Sequence, residues 1–184
     1  MKRALLIPVS LLFLIPLLAA VSGCGAQTDQ ANQLVDQVNQ LASEVAPKIT
    51  QADQLLTQAT DQLSQGKTEE EKSSLGQAQQ LIDEISSDIT TAKSKTDEAA
   101  ALNISDTFRQ YLQAKGRALD EALGLNQTSM DITVLLLGDP TMQNPDTLKK
   151  FNDLKSQAQA QSQQLQDAED EANGVASAHA DEIK

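Results

Sequence analysis

Apolar residues recur at intervals of three and four along the chain from about residue 30 onward, which is the periodicity of amphipathic α-helices. The first stripe predicts a helix from about Gln27 to Gln65, with the heptad spacing typical of coiled coils. Pro47 falls inside it, yet Val45 and Ile49 keep the stripe on one face, so we expect a kink rather than a break. The stripe consists of Leu34, Val38, Leu41, Val45, Ile49, Ala52, Leu56, Ala59 and Leu63.

A second and a third helix follow, each with its own start signal. Gly66 suits the left-handed position of a turn, and Thr68 with Glu71 matches a capping box that starts a helix ending near Asn103. Ser105 is placed to cap the third helix. The second stripe is Leu75, Ala78, Ile82, Ile85, Ile89, Ala92 and Ala99, and the third is Phe108, Leu112, Leu119, Ala122, Met130, Val134 and Leu137.

The third helix contains Gly124-Leu125-Asn126, which leaves open whether it is continuous, kinked or briefly interrupted. Gly138 to Asn144 is the longest loop signal after residue 27. Asn144 as cap and Pro145 at the first helical position then open a fourth helix. Its stripe is Leu148, Phe151, Leu154, Ala158, Leu165, Ala168, Ala172 and Val175.

Four helices of similar length joined by short turns predict an all-α fold, an antiparallel up-down four-helix bundle of long helices with coiled-coil-like packing. At about 1.5 Å per residue, segments of roughly 33 to 39 residues make rods of about 50 to 58 Å. The alternative architecture is a longer coiled-coil hairpin that pairs between molecules, and the sequence leaves the oligomeric state open.

Composition supports this class and restricts the partners. Trp is absent and aromatic residues make up 2% of the chain, whereas strands favour aromatic and β-branched residues. The chain carries 14 Lys and Arg against 26 Asp and Glu, for a net charge of −12. Such a surface repels nucleic acid and anionic lipid, so we expect no nucleic-acid partner and a neutral or basic protein partner.

The first 24 residues have the layout of a secretory signal that ends in a cysteine. Lys2 and Arg3 form a basic segment, residues 4–20 are apolar, and small residues follow. Val21-Ser22-Gly23-Cys24 resembles the lipobox of bacterial lipoproteins, in which a small aliphatic residue and two small residues precede the cysteine. The resemblance implies a signal peptide over residues 1–23 and a lipidated anchor with a short tether over 24–27, and the apolar stripes predict a helical bundle domain over 28–184.

In that family the thiol that Cys24 matches receives a diacylglyceryl group, and fatty acyl chains such as palmitate hold the protein on the membrane. Two or three chains anchor stably, at about 0.8 kcal/mol per buried methylene. Cleavage before Cys24 removes Lys2 and Arg3 and leaves 12 basic against 26 acidic residues, a net charge of −14. Because Gly25 stands where an aspartate marks inner-membrane retention, the resemblance favours the outer membrane if the source has two membranes.

Candidate chemistry is sparse, so we expect no enzyme activity, no cofactor and no metal site. The chain has one cysteine and one histidine, which excludes Cys/His and most Ser/His/Asp schemes. His179 with Glu182 reverses the Glu-x-x-His order of bundle di-metal sites. An acidic cluster on the fourth helix is expected to be a solvated face; it comprises Asp167, Glu169, Asp170 and Glu171.

Two sets of residues remain as candidate sites. Lys115 lies between Leu112 and Leu119 on the inward stripe of the third helix, where it either packs its stem along apolar surface or holds an anionic ligand. An anchored bundle starts at the bilayer, so the loop of Asp139, Pro140, Thr141 and Met142 is expected at the far end and placed to bind a partner.

The sequence therefore predicts a membrane-anchored, non-enzymatic cell-envelope lipoprotein that acts as a helical spacer, scaffold or protein-interaction module. Its expected partners are the membrane, through the anchor at Cys24, and another envelope protein. The alternative is an extracytoplasmic ligand-binding or sensor-type four-helix bundle, which requires a cavity with convergent polar groups midway along the helices.

Overall fold

The computed structural model describes residues 26–179, and Cys24 with the predicted signal peptide lies outside them. Within this range the chain forms four long helices and no strand. They are α1 (Ala26–Ser64), α2 (Thr68–Ala100), α3 (Asp106–Gly138) and α4 (Pro145–Ala178). The predicted boundaries agree with these to within three residues, because Gly66, Ser105 and Asn144-Pro145 mark helix ends and starts in the sequence.

Each helix packs antiparallel against the next, which confirms the predicted all-α, up-down four-helix bundle. The core consists of three apolar layers along the bundle, and all four helices contribute to each layer. The first layer joins Leu34 of α1 and Ala99 of α2 to Phe108 of α3 and Ala172 of α4. The start of one helix thus meets the end of its neighbour, as antiparallel packing requires.

The two ends of the bundle are formed by different parts of the chain. The Ala26 end holds the start of α1, the turn between α2 and α3, and the end of α4, and the Asn103 backbone N–H donates to Gln27 Oε1 at 2.6 Å there. The opposite end, called the tip below, holds the turn from Ser64 to Thr68 and the connection from Gly138 to Pro145. Across α3, with 33 residues, the two ends lie about 50 Å apart.

Helix α1 is continuous through Pro47, so the proline does not break it. Proline removes one backbone hydrogen bond and crowds the preceding turn. Directly after it, Lys48 Nζ contacts Asp88 Oδ2 of α2 at 2.7 Å and Glu84 Oε2 at 3.3 Å. These ion pairs tie α1 to α2 at the turn where its own backbone bonding is weakest.

The start of α2 differs from the prediction, whereas the start of α3 agrees with it. Thr68 is the first residue of α2 rather than its cap, Lys67 takes the cap position without a side-chain hydrogen bond, and the capping box is therefore wrong. Glu71, the other half of that box, is instead buried. Ser105 does cap α3, accepting a bond from the Phe108 N–H at 3.1 Å.

Helix α3 is uninterrupted across Gly124, which settles the question that the sequence left open. Asn126 is buried and donates to the Ile82 carbonyl at 2.8 Å and to Ser86 Oγ at 2.7 Å, both on α2. Because the helical phase continues unbroken, Ile132 and Leu136 face the core, while Val134, predicted on the stripe, is 50% exposed.

Candidate functional site

The connection between α3 and α4 is folded around one carboxylate. Asp139 Oδ1 accepts from Thr141 Oγ1 and Oδ2 accepts from the Asn144 backbone N–H, both at 3.3 Å. The Met142 N–H donates to the Asp139 carbonyl at 3.1 Å, and Asn144 Oδ1 caps α4 by accepting from the Asp146 N–H at 2.9 Å. Of the four predicted partner-binding residues, Asp139 thus orders the loop, Thr141 is exposed, and Pro140 and Met142 are half-buried.

Met142 has a backbone φ of 48°, in the left-handed region that non-glycine residues rarely occupy. Such a conformation costs about 1 kcal/mol or more and persists where surrounding contacts hold it. Here the Met142 side chain packs against the apolar layer nearest the tip, which includes Leu75, Leu136 and Phe151. The loop is therefore held against the bundle, and Met142 is its anchor.

A cavity of about 240 Å³ lies between this loop and the ends of α1 and α2. For comparison, an engineered protein cavity of about 150 Å³ accepts benzene. Thr141 and Leu148 line the cavity and are exposed, so it opens to solvent at the tip. Its lining comprises Ala59, Thr60, Leu63, Glu71, Leu75, Leu136, Pro140, Thr141, Met142 and Leu148.

Glu71 is the one charged residue in this lining, and it is 1% exposed. Its Oε2 atom is buried and accepts no hydrogen bond from any residue between 26 and 179. Desolvation raises the pKa of Glu71, while the charge of Lys72 opposes that shift. The two lysines that flank Glu71 in sequence contact other carboxylates, since Lys72 contacts Glu69 at 3.4 Å and Lys67 contacts Glu70 at 3.5 Å.

Leu148 lies at the mouth of the cavity and is 41% exposed, although the sequence placed it on the buried stripe of the fourth helix. The stripe begins one turn later, at Phe151. Leu148, in the first turn of α4, is therefore only partly covered by the apolar groups of the tip. The tip therefore combines an apolar rim with a buried acid.

A second polar cluster lies in the middle of the bundle around Lys115, which is 7% exposed. Burial lowers the pKa of Lys115, and Glu169 of α4 opposes that shift through its charge. Burial raises the pKa of Glu169 to about 7 against the attraction of Lys115. Glu169 Oε1, Tyr111 Oη and Asn39 Nδ2 are buried there without a hydrogen-bond partner among residues 26–179.

The void beside Lys115 has a volume of about 20 Å³ and is lined by α1, α2 and α3. A water molecule needs roughly 10 to 15 Å³ of such volume, so the void suits one water and no larger ligand. It is too small for the organic anion that the ligand-binding hypothesis for Lys115 would require. Asn39 lines the same void as Lys115, whereas Glu169 and Tyr111 do not line it.

Sequence reasoning assigned Glu71 and Glu169 to the wrong environments. Glu71 was interpreted as a helix cap and Glu169 as part of a solvated acidic face, yet both are buried. The missed signal is their spacing: Glu71 precedes Leu75 by four residues, and Glu169 precedes Ala172 by three and follows Leu165 by four. Asp167, Asp170 and Glu171 are exposed, as the sequence predicts.

Other chemistry is limited in the described part of the chain. No group of three or more His, Cys, Asp and Glu side chains between residues 26 and 179 is arranged to hold a metal ion. His179 is exposed at the end of α4. None of the four helices contains an apolar run long enough to cross a bilayer.

The chain matches no protein-family model, no curated protein and no solved structure. The N-terminal motif and the geometry of the tip therefore provide the evidence on its function.

Proposed function

We propose that this protein is a membrane-anchored, non-enzymatic lipoprotein of the cell envelope that holds a helical rod upright and presents its tip to another envelope protein. The observation that carries the proposal is the separation of the two ends. Helix α1 begins at Ala26, two residues after the lipobox cysteine Cys24, and the open cavity lies at the other end of the rod.

A short tether supports an upright arrangement. With α1 starting so close to Cys24, acyl chains on that residue would hold the Ala26 end at the bilayer surface. The acidic surface disfavours lying flat on anionic headgroups, because the chain carries a net charge of −12. The rod would then extend its tip about 50 Å from the lipid. Gly25 favours the outer membrane in a cell that has two.

Replacing Cys24 tests the anchor. In the Cys24→Ser variant we expect loss of acylation and release of the protein from the membrane fraction, since no other residue of the lipobox carries a thiol. Intact-mass analysis and fractionation of cell extracts measure both effects. The Ser22→Ala variant keeps a small residue in the motif and should remain acylated. A wild-type protein recovered off the membrane with a free Cys24 thiol contradicts the proposal.

Exchanging the loop residues 139–142 for Gly-Ser-Gly-Ser tests docking at the tip. We expect the lipidated protein to lose partners captured by cross-linking in intact cells, while circular dichroism remains helical. A control variant in which the exposed Gln163 and Gln164 of α4 are replaced with Ala should still capture the same partners. Equal capture by both variants would move the interaction to the helix faces.

A further inference from the structure

The buried Oε2 atom of Glu71, which has no hydrogen-bond partner among residues 26–179, is the observation that goes beyond an unspecified docking surface. Burying an ionised carboxylate without compensating hydrogen bonds is unfavourable, because the charge loses its hydration. Replacing Glu71 with an apolar residue would break no hydrogen bond to Oε2, because this atom accepts none from residues 26–179. Because this acid lies at the wall of an open cavity, we infer that it binds a cation rather than stabilises the fold.

The cavity around Glu71 suits a particular kind of cation. Its walls are mainly apolar, and the hydroxyl-bearing residues Thr60 and Thr141 are the other polar lining. An inorganic cation needs several oxygen ligands, whereas one carboxylate among aliphatic groups matches a cation carried on a hydrocarbon stem. Lysine and arginine side chains have this construction, and the volume of about 240 Å³ accommodates one of them.

The surroundings favour a protein as the source of that cation. Glu69 and Glu70 stand beside Glu71 in the first turn of α2, and the chain as a whole carries 26 acidic residues against 14 basic. Opposite charge steers a basic surface toward this end. Met142 and the exposed Leu148 supply adaptable apolar contacts for residues that flank the inserted side chain.

We propose that the tip cavity receives a lysine or arginine side chain of a partner protein, with the cation paired to Glu71 and the stem packed against Leu63, Leu75 and Met142. This assignment specifies the chemistry of the docking that the proposed function requires, and it rests on that function for the identity of the partner as a protein. In the complex Glu71 gains the charge-assisted hydrogen bonds that it lacks in the free molecule.

Acetylated and amidated tripeptides test the assignment on the mature lipidated protein in detergent. Leu-Lys-Leu and Leu-Arg-Leu are titrated against Leu-norleucine-Leu, which keeps the stem and lacks the charge. Binding is followed by NMR of ¹³C-labelled methionine methyl groups. Met142 lines the cavity, and Met130 does not line it and serves as an internal reference. We expect saturable shifts at Met142 alone and at least about tenfold weaker binding of the norleucine peptide.

The Glu71→Gln variant keeps the shape of the side chain and removes its charge. It should bind the lysine peptide about tenfold more weakly. The control Glu69→Gln removes the same charge from a side chain that is 90% exposed and should bind within about twofold of wild type. A Glu71→Asp variant, which keeps the charge, is expected to retain the preference for lysine over norleucine even if it binds more weakly.

Three results would overturn the assignment. These are no shift at Met142 with any peptide, equal binding of the norleucine and lysine peptides, and unchanged binding in Glu71→Gln. If n-butylamine binds as tightly as the lysine peptide, the site takes a free amine, and the protein side chain is excluded as the intended occupant. None of these results depends on Cys24 acylation or on the effect of the loop exchange. A failed peptide-binding test can therefore be distinguished from failure of the proposed function.

Discussion

At the scale of single residues, Lys115 and Glu169 contribute to how the bundle responds to pH. Both are buried in the middle of the molecule. Burial favours the neutral form of each, so it lowers the pKa of Lys115 and raises the pKa of Glu169. Their mutual attraction reduces these shifts without cancelling them. A buried pair of this kind is a weak contributor to stability, because desolvation offsets the Coulombic gain.

Glu169 should make the folded state less stable as pH rises. Its pKa is raised from 4.5 to about 7, so the folded state holds this proton more tightly than the unfolded chain does. The free energy of unfolding therefore falls between pH 4.5 and about 7, and the full penalty is present above that range. The Glu169→Gln variant should reduce this dependence of stability on pH, and at pH 8 it should gain on the order of 3 kcal/mol at most.

Urea unfolding followed by circular dichroism at pH 5 and pH 8 measures this difference. Glu98 is exposed on α2, so the Glu98→Gln variant removes an equal charge and should keep the wild-type slope. Glu71 and Asp53 also have raised pKa values, Asp53 to about 6 through burial, and both remain in the two variants. An identical slope in Glu169→Gln and wild type would show that Glu169 is hydrated in the folded state.

The environments of Glu71 and Glu169 illustrate what residue-level reasoning loses. Charge assigns a glutamate to solvent or to a cap, and that rule fails here because packing between the helices buries both side chains. Lys115 was correctly placed on the inward face because apolar neighbours flank it at regular spacing. Its proximity to Glu169 could not be predicted, since it depends on the axial register of α4 against α3.

At the scale of elements, Asn126 fixes the register of α3 against α2. Its side-chain amide reaches both the Ile82 carbonyl and Ser86 Oγ from a buried position. Nearby, Thr128 Oγ1 donates to the Gly124 carbonyl at 3.1 Å and lies 2.7 Å from Gln161 Oε1 of α4. A polar side chain buried between helices specifies one register at some cost in stability.

Substituting Asn126 with Ala should therefore destabilise the bundle by about 1 to 3 kcal/mol, because two buried hydrogen bonds are lost and Ser86 Oγ loses its partner on α3. Chemical denaturation measures the change. Gln127 is exposed and bonds within its own helix to Asp131, so Gln127→Ala should change stability by less than about 0.5 kcal/mol. Equal effects of the two substitutions would mean that Asn126 does not join the helices.

Helix existence and length could be predicted well from periodicity, caps and turns. The error at Val134 arose because Gly124 and Asn126 resemble a break, and a break shifts the phase of every later residue. Burial of Asn126 between two helices overrides that local preference. Tertiary packing of this kind is invisible to a single-sequence pattern.

At the scale of the whole molecule, the bundle fixes which surfaces share an end. The loop with Met142 and the turn after α1 are far apart in sequence, yet Leu63, Glu71 and Met142 line one cavity. Topology alone places the loop and the turn together, which the sequence predicted. The cavity and its unpartnered acid depend on how α1, α2 and the loop close over one another, and no sequence motif encodes that.

Energy transfer from the rod to a labelled membrane tests the central claim most directly. The mature lipidated protein is placed in nanodiscs containing an acceptor-labelled lipid, with a donor on Thr141→Cys at the tip or on Asn103→Cys at the Ala26 end. An upright anchored rod predicts strong transfer from position 103 and a donor at 141 about 50 Å farther from the lipid. Equal transfer from both positions, or protein that does not associate with the nanodiscs, would contradict it.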